Sequence, residues 1–224
     1  MKIDHLFVFV EPPATEAAEL EQAGLRESFR RRHPGQGTTN ACFCFDNAYL
    51  ELLWVVDLAE MAAPAVARTG LAGRADWRRT GGSPFGIALR TAADDEALPF
   101  ETWDYRAPFL PEGLSIPVAR SSDDPCQPFL FRSPGSLRPD AWTDGRAGLR
   151  QRPAGLAEIT GVHLEFPIGA SPADDYRWLA DAGLLTFGRG AAGHRMVLTL
   201  SYSVGSHSAG GPPRRLSLPD FSWN

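Results

Sequence analysis

The stretch HPGQGTTNACFCFDNAYLELLWV, His33 to Val55, decides the fold. Two apolar runs, Ala41–Phe45 and Ala48–Val55, flank the pair Asp46-Asn47, and both residues tolerate turn dihedrals, so the stretch predicts a β-hairpin. Side chains alternate across a strand. Tyr49, Glu51 and Leu53 therefore share one face of the second strand, and Leu50, Leu52 and Trp54 the other. A lone carboxylate in so apolar a strand must be solvated, protonated or matched by a cation, because an unpaired buried charge costs about 3–5 kcal/mol.

Working outward, Ile3–Val10 predicts a strand with His5, Phe7 and Phe9 on one face. Pro13–Ala23 predicts a helix stopped by Gly24, and Leu25–Arg32 a second strand. The order over the first 55 residues is β-α-β-β-β. Beyond the hairpin, Asp57–Arg68 predicts a short helix broken at Pro64, and Thr69–Ser83 a connector. Pro84–Arg90 is a strand, Ala92–Leu98 at most two helical turns, and Glu101–Arg132 three more strands. Ser133–Gly155, dense in Gly, Pro and Arg, reads as a linker. After it come a strand at Ile159–Phe166, a helix at Pro172–Ala182, and strands at Thr186–Phe187, Arg195–Tyr202 and Arg214–Leu218, with a loose loop at Gly205–Pro213.

Two segments match closely. His5-Leu6, Pro13-Ala14 and Leu20-x-x-Ala23-Gly24-Leu25 correspond to His163-Leu164, Pro172-Ala173 and Leu179-x-x-Ala182-Gly183-Leu184, with identical spacing from Pro to the last Leu and a difference of one residue between His and Pro. Chance matching of common residues is the plain alternative. Pro84–Arg132 has a similar rhythm, with Gly86 or Ile87 where the His would stand. The expected fold class is α+β: repeated β-α-β-β-β modules forming an open, curled mixed sheet, a cup, with helices on the outside.

Bulk properties narrow the function. The chain has 224 residues, 43% hydrophobic and 22% charged, with a net charge of −5, which suits a folded protein that can bury a core. That charge gives no electrostatic reason to expect nucleic acid or an anionic membrane, and Arg30-Arg31-Arg32 is a local patch. No apolar run approaches a membrane span, and the N-terminus has no signal-peptide cleavage pattern. Three cysteines lack zinc-ribbon spacing, and Cys42 and Cys44 read as small apolar residues of a reducing compartment. The expected location is cytoplasmic. No Gly-rich dinucleotide fingerprint and no Ser or Cys nucleophile with a flanking His is present.

Asp4-His5-Leu6, the loop His33-Pro34-Gly35-x-Gly37-Thr38-x-Asn40 and Tyr49-Leu50-Glu51-Leu52-Leu53 together resemble the glyoxalase-like domain. That domain is a branch of the vicinal oxygen chelate superfamily, which includes glyoxalase I, extradiol dioxygenases and the fosfomycin and bleomycin resistance proteins. The resemblance is specific over the first 55 residues and loose beyond. It implies paired modules curling into a cup of eight strands, with a divalent metal (Fe, Mn, Ni or Zn) held from the first and last strands of each module. Carried over by position, His5 and Glu51 are metal ligands. His163 is a third if residues 159–218 form the partner module; the fourth position then falls near Thr199 or Ser217, poor ligands both. If Pro84–Arg132 is the partner, no further ligand is at hand.

The implied organisation is a glyoxalase-like domain at 1–135 (modules 1–56 and 84–132), a linker at 136–158, and a third module at 159–224 packing with the first. An odd module count leaves one unit for a homodimer. The expected function is that of a glyoxalase-like enzyme on a small oxygen-rich metabolite, as lyase, isomerase or dioxygenase. Glu51 or His33 would move a proton, and Thr38, Asn40 and Tyr49 would bind substrate. The alternative is a non-catalytic cup that sequesters a small molecule, in which His5 and Glu51 bond one another or a trapped water. The glycines of the 33–40 loop either cradle an anion with their N–H groups or serve only its turns. Glu165, on the face of His163, reads as a second polar patch or a solvated edge. His194 and His207 read as solvated, and Asp94-Asp95, Asp123-Asp124 and Asp174-Asp175 as turns or helix starts rather than catalytic dyads.

Overall fold

The structure, a computed structural model, describes residues 1–93, 96–205 and 212–223. Asp94-Asp95, His207 and most of the loop around it lie outside the described residues. The first unit comprises β1 (Lys2–Phe9), α1 (Thr15–Gln22), β2 (Phe29–His33), β3 (Thr38–Cys44) and β4 (Tyr49–Val55). Four short helices follow: α2 (Leu58–Met61), α3 (Pro64–Ala67), α4 (Leu71–Ala75) and α5 (Trp77–Thr80). Pro64 opens α3, as a residue without a backbone N–H should. The expected connector at Thr69–Ser83 is thus largely helical. Next come β5 (Phe85–Arg90), β6 (Thr102–Tyr105), β7 (Ile116–Ala119) and β8 (Phe129–Arg132).

These eight strands form one mixed sheet in the order β2-β3-β4-β1-β5-β8-β7-β6. Its centre is the antiparallel pair β1·β5, and each of those strands has a parallel neighbour, β4 on one side and β8 on the other. The second four strands therefore mirror the first four in placement. Alternation sorts each strand between two apolar clusters. Leu6, Val8, Leu50, Leu52 and Trp54 face the larger core, while Phe7, Phe9 and Leu53 face the inside of the curl with Phe129 and Phe131. Met61, Val66 and Leu71, from α2 to α4, join the inner cluster. These helices fill part of the cup, where all helices were expected outside.

The remaining strands are β9 (Leu156–Pro167), β10 (Thr186–Ala191), β11 (Arg195–Tyr202), β12 (Arg214–Leu218) and β13 (Ser222–Trp223), with α6 (Asp174–Asp181) after β9. They form a second sheet in the order β10-β9-β11-β12-β13. Here the sequence match between the His5 and His163 segments yields a different arrangement. The parallel place beside the first strand, taken by β4 in the first unit, is taken by β10, the strand directly after the helix. Leu164, Phe166, Leu198 and Leu216 of this sheet, with Tyr176 and Leu179 of α6, complete the larger core behind the cup.

The expected linker is tied down. Gln151, fully buried, takes the Arg26 N–H at 2.8 Å and donates to the Arg26 and Cys44 carbonyls at 2.9 and 3.2 Å. Asp46, in the hairpin turn, pairs with Arg150 at 2.7 Å and with Arg152. Asn47 exchanges side-chain hydrogen bonds with the Ile159 backbone at 2.8 and 3.0 Å. Among the described residues, no helix is long and apolar enough to cross a membrane.

Candidate functional site

The curled sheet encloses a cavity of about 180 Å³ whose lining includes His5, Arg31, His33, Tyr49, Glu51 and the aromatic side chains of β8. Strand register brings these residues together. Parallel pairing of β1 with β4 sets His5 against Tyr49 and Phe7 against Glu51, and the His5 ring stacks on Tyr49 at 4.4 Å. Asp4 accepts from His5 Nδ1 at 2.8 Å and is itself paired with Arg90 at 3.0 Å. A carboxylate only accepts, so Nδ1 carries the proton and Nε2 faces the cavity. His5 Nε2 lies 3.6 Å from Glu51 Oε2, too far for a hydrogen bond. The other oxygen of Glu51 accepts from Asn40 Nδ2 at 2.7 Å. The hydrogen bond that the buried carboxylate accepts thus comes from the Asn40 amide, and its other oxygen faces the His5 ring across the cavity.

His33 stands deeper in a second network. Burial pushes its imidazole down to about 4, with Glu51 partly opposing and Arg31 adding to the shift. The neutral ring accepts from Arg31 at Nε2, 3.3 Å, and donates from Nδ1 to Thr38 Oγ1 at 2.9 Å. Gln36 also donates to Thr38, at 2.8 Å, and accepts from the Tyr105 hydroxyl at 2.9 Å, linking β6 to the β2–β3 turn. Burial, aided by Asp4 and Glu51, holds the Tyr49 hydroxyl well above its usual range. Cys42 and Cys44 are likewise pushed up, Cys44 to about 11, so both are inert thiols at neutral pH.

Of the residues expected to act, His5, His33, Tyr49 and Glu51 line the cavity. Thr38 and Asn40, expected to touch substrate, stand one layer behind it, holding His33 and Glu51. His163 lies on the second sheet, bonded to Thr186 at 2.8 Å, and lines a separate depression with Glu165. The structure thus separates it from His5 and Glu51, because β9 belongs to the sheet behind the cup. The 33–40 loop does cradle an anion, but one of the protein's own: Glu60 accepts the Gly35 and Gly37 N–H groups at 2.9 and 3.0 Å. His194, expected in solvent, is only 8% exposed and packs on Phe166. Arg31 escaped notice inside its basic triplet. Its signal is spacing, since it stands two residues before His33 and shares that face.

A metal held here would be offered His5 Nε2 and Glu51 Oε2. A structural centre needs four protein ligands and a catalytic one about three. Among the described residues, no group of three His, Cys, Asp or Glu side chains could hold a metal ion. Across the central β1·β5 pair, Gly86 and Phe131 stand where further donors would be needed. A Cβ on Gly86 would meet the Phe7 ring at 2.0 Å, and Phe131 packs edge-on to His5 at 5.4 Å. Those positions are packed with aromatic carbon, and the donor set does not fit a metal centre closed by this chain.

Cup and sheet order define a class of protein: a curled mixed-sheet domain of two mirrored halves with a cavity on its inner face. Residues 3–101 match the family model of the glyoxalase-like domain. Among solved structures, a hypothetical protein from Staphylococcus aureus is similar over 74% of this chain and 69% of its own, with 14% identity and a TM-score of 0.41. No curated protein matches the chain.

Proposed function

We propose that the cup binds one small organic molecule, and that binding or sequestration, without a metal closed by the protein, is its function. The observation that carries this reading is the asymmetry of the cup floor. One half contributes His5 and Glu51, while the mirrored half contributes Gly86 and Phe131, and an apolar pocket with a few convergent polar groups is a binding site by its chemistry. The buried free cysteines Cys42 and Cys44 support a reducing, cytoplasmic setting.

A variant that blocks the cup tests the reading. Gly135 lines the cavity, and a Cβ built there meets no heavy atom within 4 Å, so Gly135→Trp places a large ring at the cavity wall without a clash at its Cβ. Incubation with a pool of small metabolites is expected to raise the Tm of the wild-type chain and not of the variant. Equal shifts in both, or none in either, would sink the proposal.

One observation favours a second reading, acid–base catalysis. The chain Arg90–Asp4–His5 fixes an imidazole opposite Glu51 in an apolar cavity, and such pairs transfer protons. Turnover of a pool component that is lost in Glu51→Gln would move the protein from binding to catalysis.

A further inference from the structure

We propose that the molecule taken by the cup is a small monocarboxylate with an apolar body, its carboxylate seated on Arg31. This rests on the binding reading above and adds the chemical class of the ligand. Two arginines border the cavity. Arg146 is already engaged, paired with Asp144 at 3.1 Å and stacked 3.8 Å over Trp142. Arg31 has no carboxylate within 4.0 Å among the described residues, and its guanidinium makes one side-chain hydrogen bond, to His33. The remaining N–H donors of that planar fork match a carboxylate in two-point geometry.

Arg31 differs from an ordinary solvated arginine in what stands behind it. Its neighbours Arg30 and Arg32 point to the opposite face and pair with Glu27 and Glu60. Arg31 instead rests against the chain His33–Thr38–Gln36–Tyr105, four buried side chains that hold the imidazole as a neutral acceptor. Its guanidinium carbon lies 5.7 Å from the Phe109 ring, which also packs on His33. A buried, fully bonded support of this kind fixes a group in one geometry.

Size and charge set the rest of the ligand. At about 180 Å³ the cavity falls below the roughly 300–1,000 Å³ of drug-sized sites, so it suits a single ring or short chain. Phe7, Phe129 and Phe131 offer that body an apolar floor. Glu51 repels a second negative group, which selects a monoanion over a dianion.

Titration calorimetry of the full chain with benzoate, benzamide and inorganic phosphate tests the proposal. Benzoate is expected to bind at least about tenfold tighter than benzamide, the scale of one charge-assisted hydrogen bond, and phosphate not to bind. Arg31→Gln should weaken benzoate at least about tenfold and leave benzamide unchanged, with Arg31→Lys between. An unchanged Tm of the unliganded variants shows the fold kept. Benzamide equal to benzoate, phosphate equal to benzoate, or benzoate undiminished in both variants would each overturn the carboxylate seat. Binding of neutral molecules lost in Gly135→Trp would leave the cup reading standing in that event. Absence of binding by both benzoate and benzamide also overturns the seat, and the metabolite pool then decides the fate of the cup.

Discussion

At the scale of single residues, two buried basic side chains are handled in opposite ways. Arg74 is fully buried and has no carboxylate within 4.0 Å among the described residues. Its guanidinium donates to the carbonyls of Ser122, Asp124, Pro125 and Gln127, and more weakly to Ser83. This clasp fixes the turn before β8 to α4 through backbone alone. Burial lowers its pKa only to about 10, so it stays charged. Arg74→Met should cost about 3–5 kcal/mol, since several buried acceptors lose their donor at once. Arg74→Lys should recover little, because one ammonium cannot span the set. Urea unfolding of the three chains measures this. His33 is instead kept neutral. From pH 6.5 down to about 4 the unfolded chain takes up a proton that the fold refuses, so stability falls as pH falls through that window. The loss approaches about 3 kcal/mol. His33→Gln should flatten the pH dependence of unfolding between pH 7 and 4.5, but not abolish it, because burial lowers His194 as well.

At the scale of elements, the β2–β3 turn shows what the sequence reveals and what it conceals. Alternation assigns Glu51, Tyr49 and His5 to one face, and the register of β1 with β4 turns that assignment into contact. The strands and the cup floor were therefore legible. The partner of the turn was not. Gly35 and Gly37 bond a carboxylate about two dozen residues away, on a helix whose docking depends on the curled sheet. Local patterning also hid the burial of His194 and the sheet to which His163 belongs, because both depend on distant strands. Gly37 carries the sharpest local demand. Its φ is +78°, and a Cβ there would meet the Asp57 carbonyl at 2.2 Å and the Met61 nitrogen at 2.8 Å. Backbone atoms cannot yield as side chains do, so Gly37→Ala should destabilise by more than the roughly 1 kcal/mol of an ordinary left-handed site. Glu60→Gln keeps the shape but replaces a charge-assisted acceptor, and should cost less. Chemical denaturation of both variants orders them.

At the scale of the whole molecule, the boundary suggested by the Gly- and Pro-rich segment at 136–158 runs through a single core. Leu6, Phe43 and Leu50 of the first sheet lie in one buried cluster with Leu164, Leu198 and Leu216 of the second. Gln151, Asn47 and Asp46 lock the segment between them to the hairpin. A chain ending at residue 135 keeps every residue of the eight-stranded sheet yet strips the cover from its back. Each large apolar side chain returned to water costs about 1.5–3 kcal/mol, and total stability is only about 5–15 kcal/mol. Exposure of a few such residues removes all of it. The 1–135 fragment should therefore show no cooperative unfolding transition. The full chain should unfold in one transition, with a denaturant slope suited to 224 residues. Two separated transitions in the full chain, or a folded 1–135 fragment with dispersed NMR signals, would show that the cup stands alone and that the second sheet is an accessory to it.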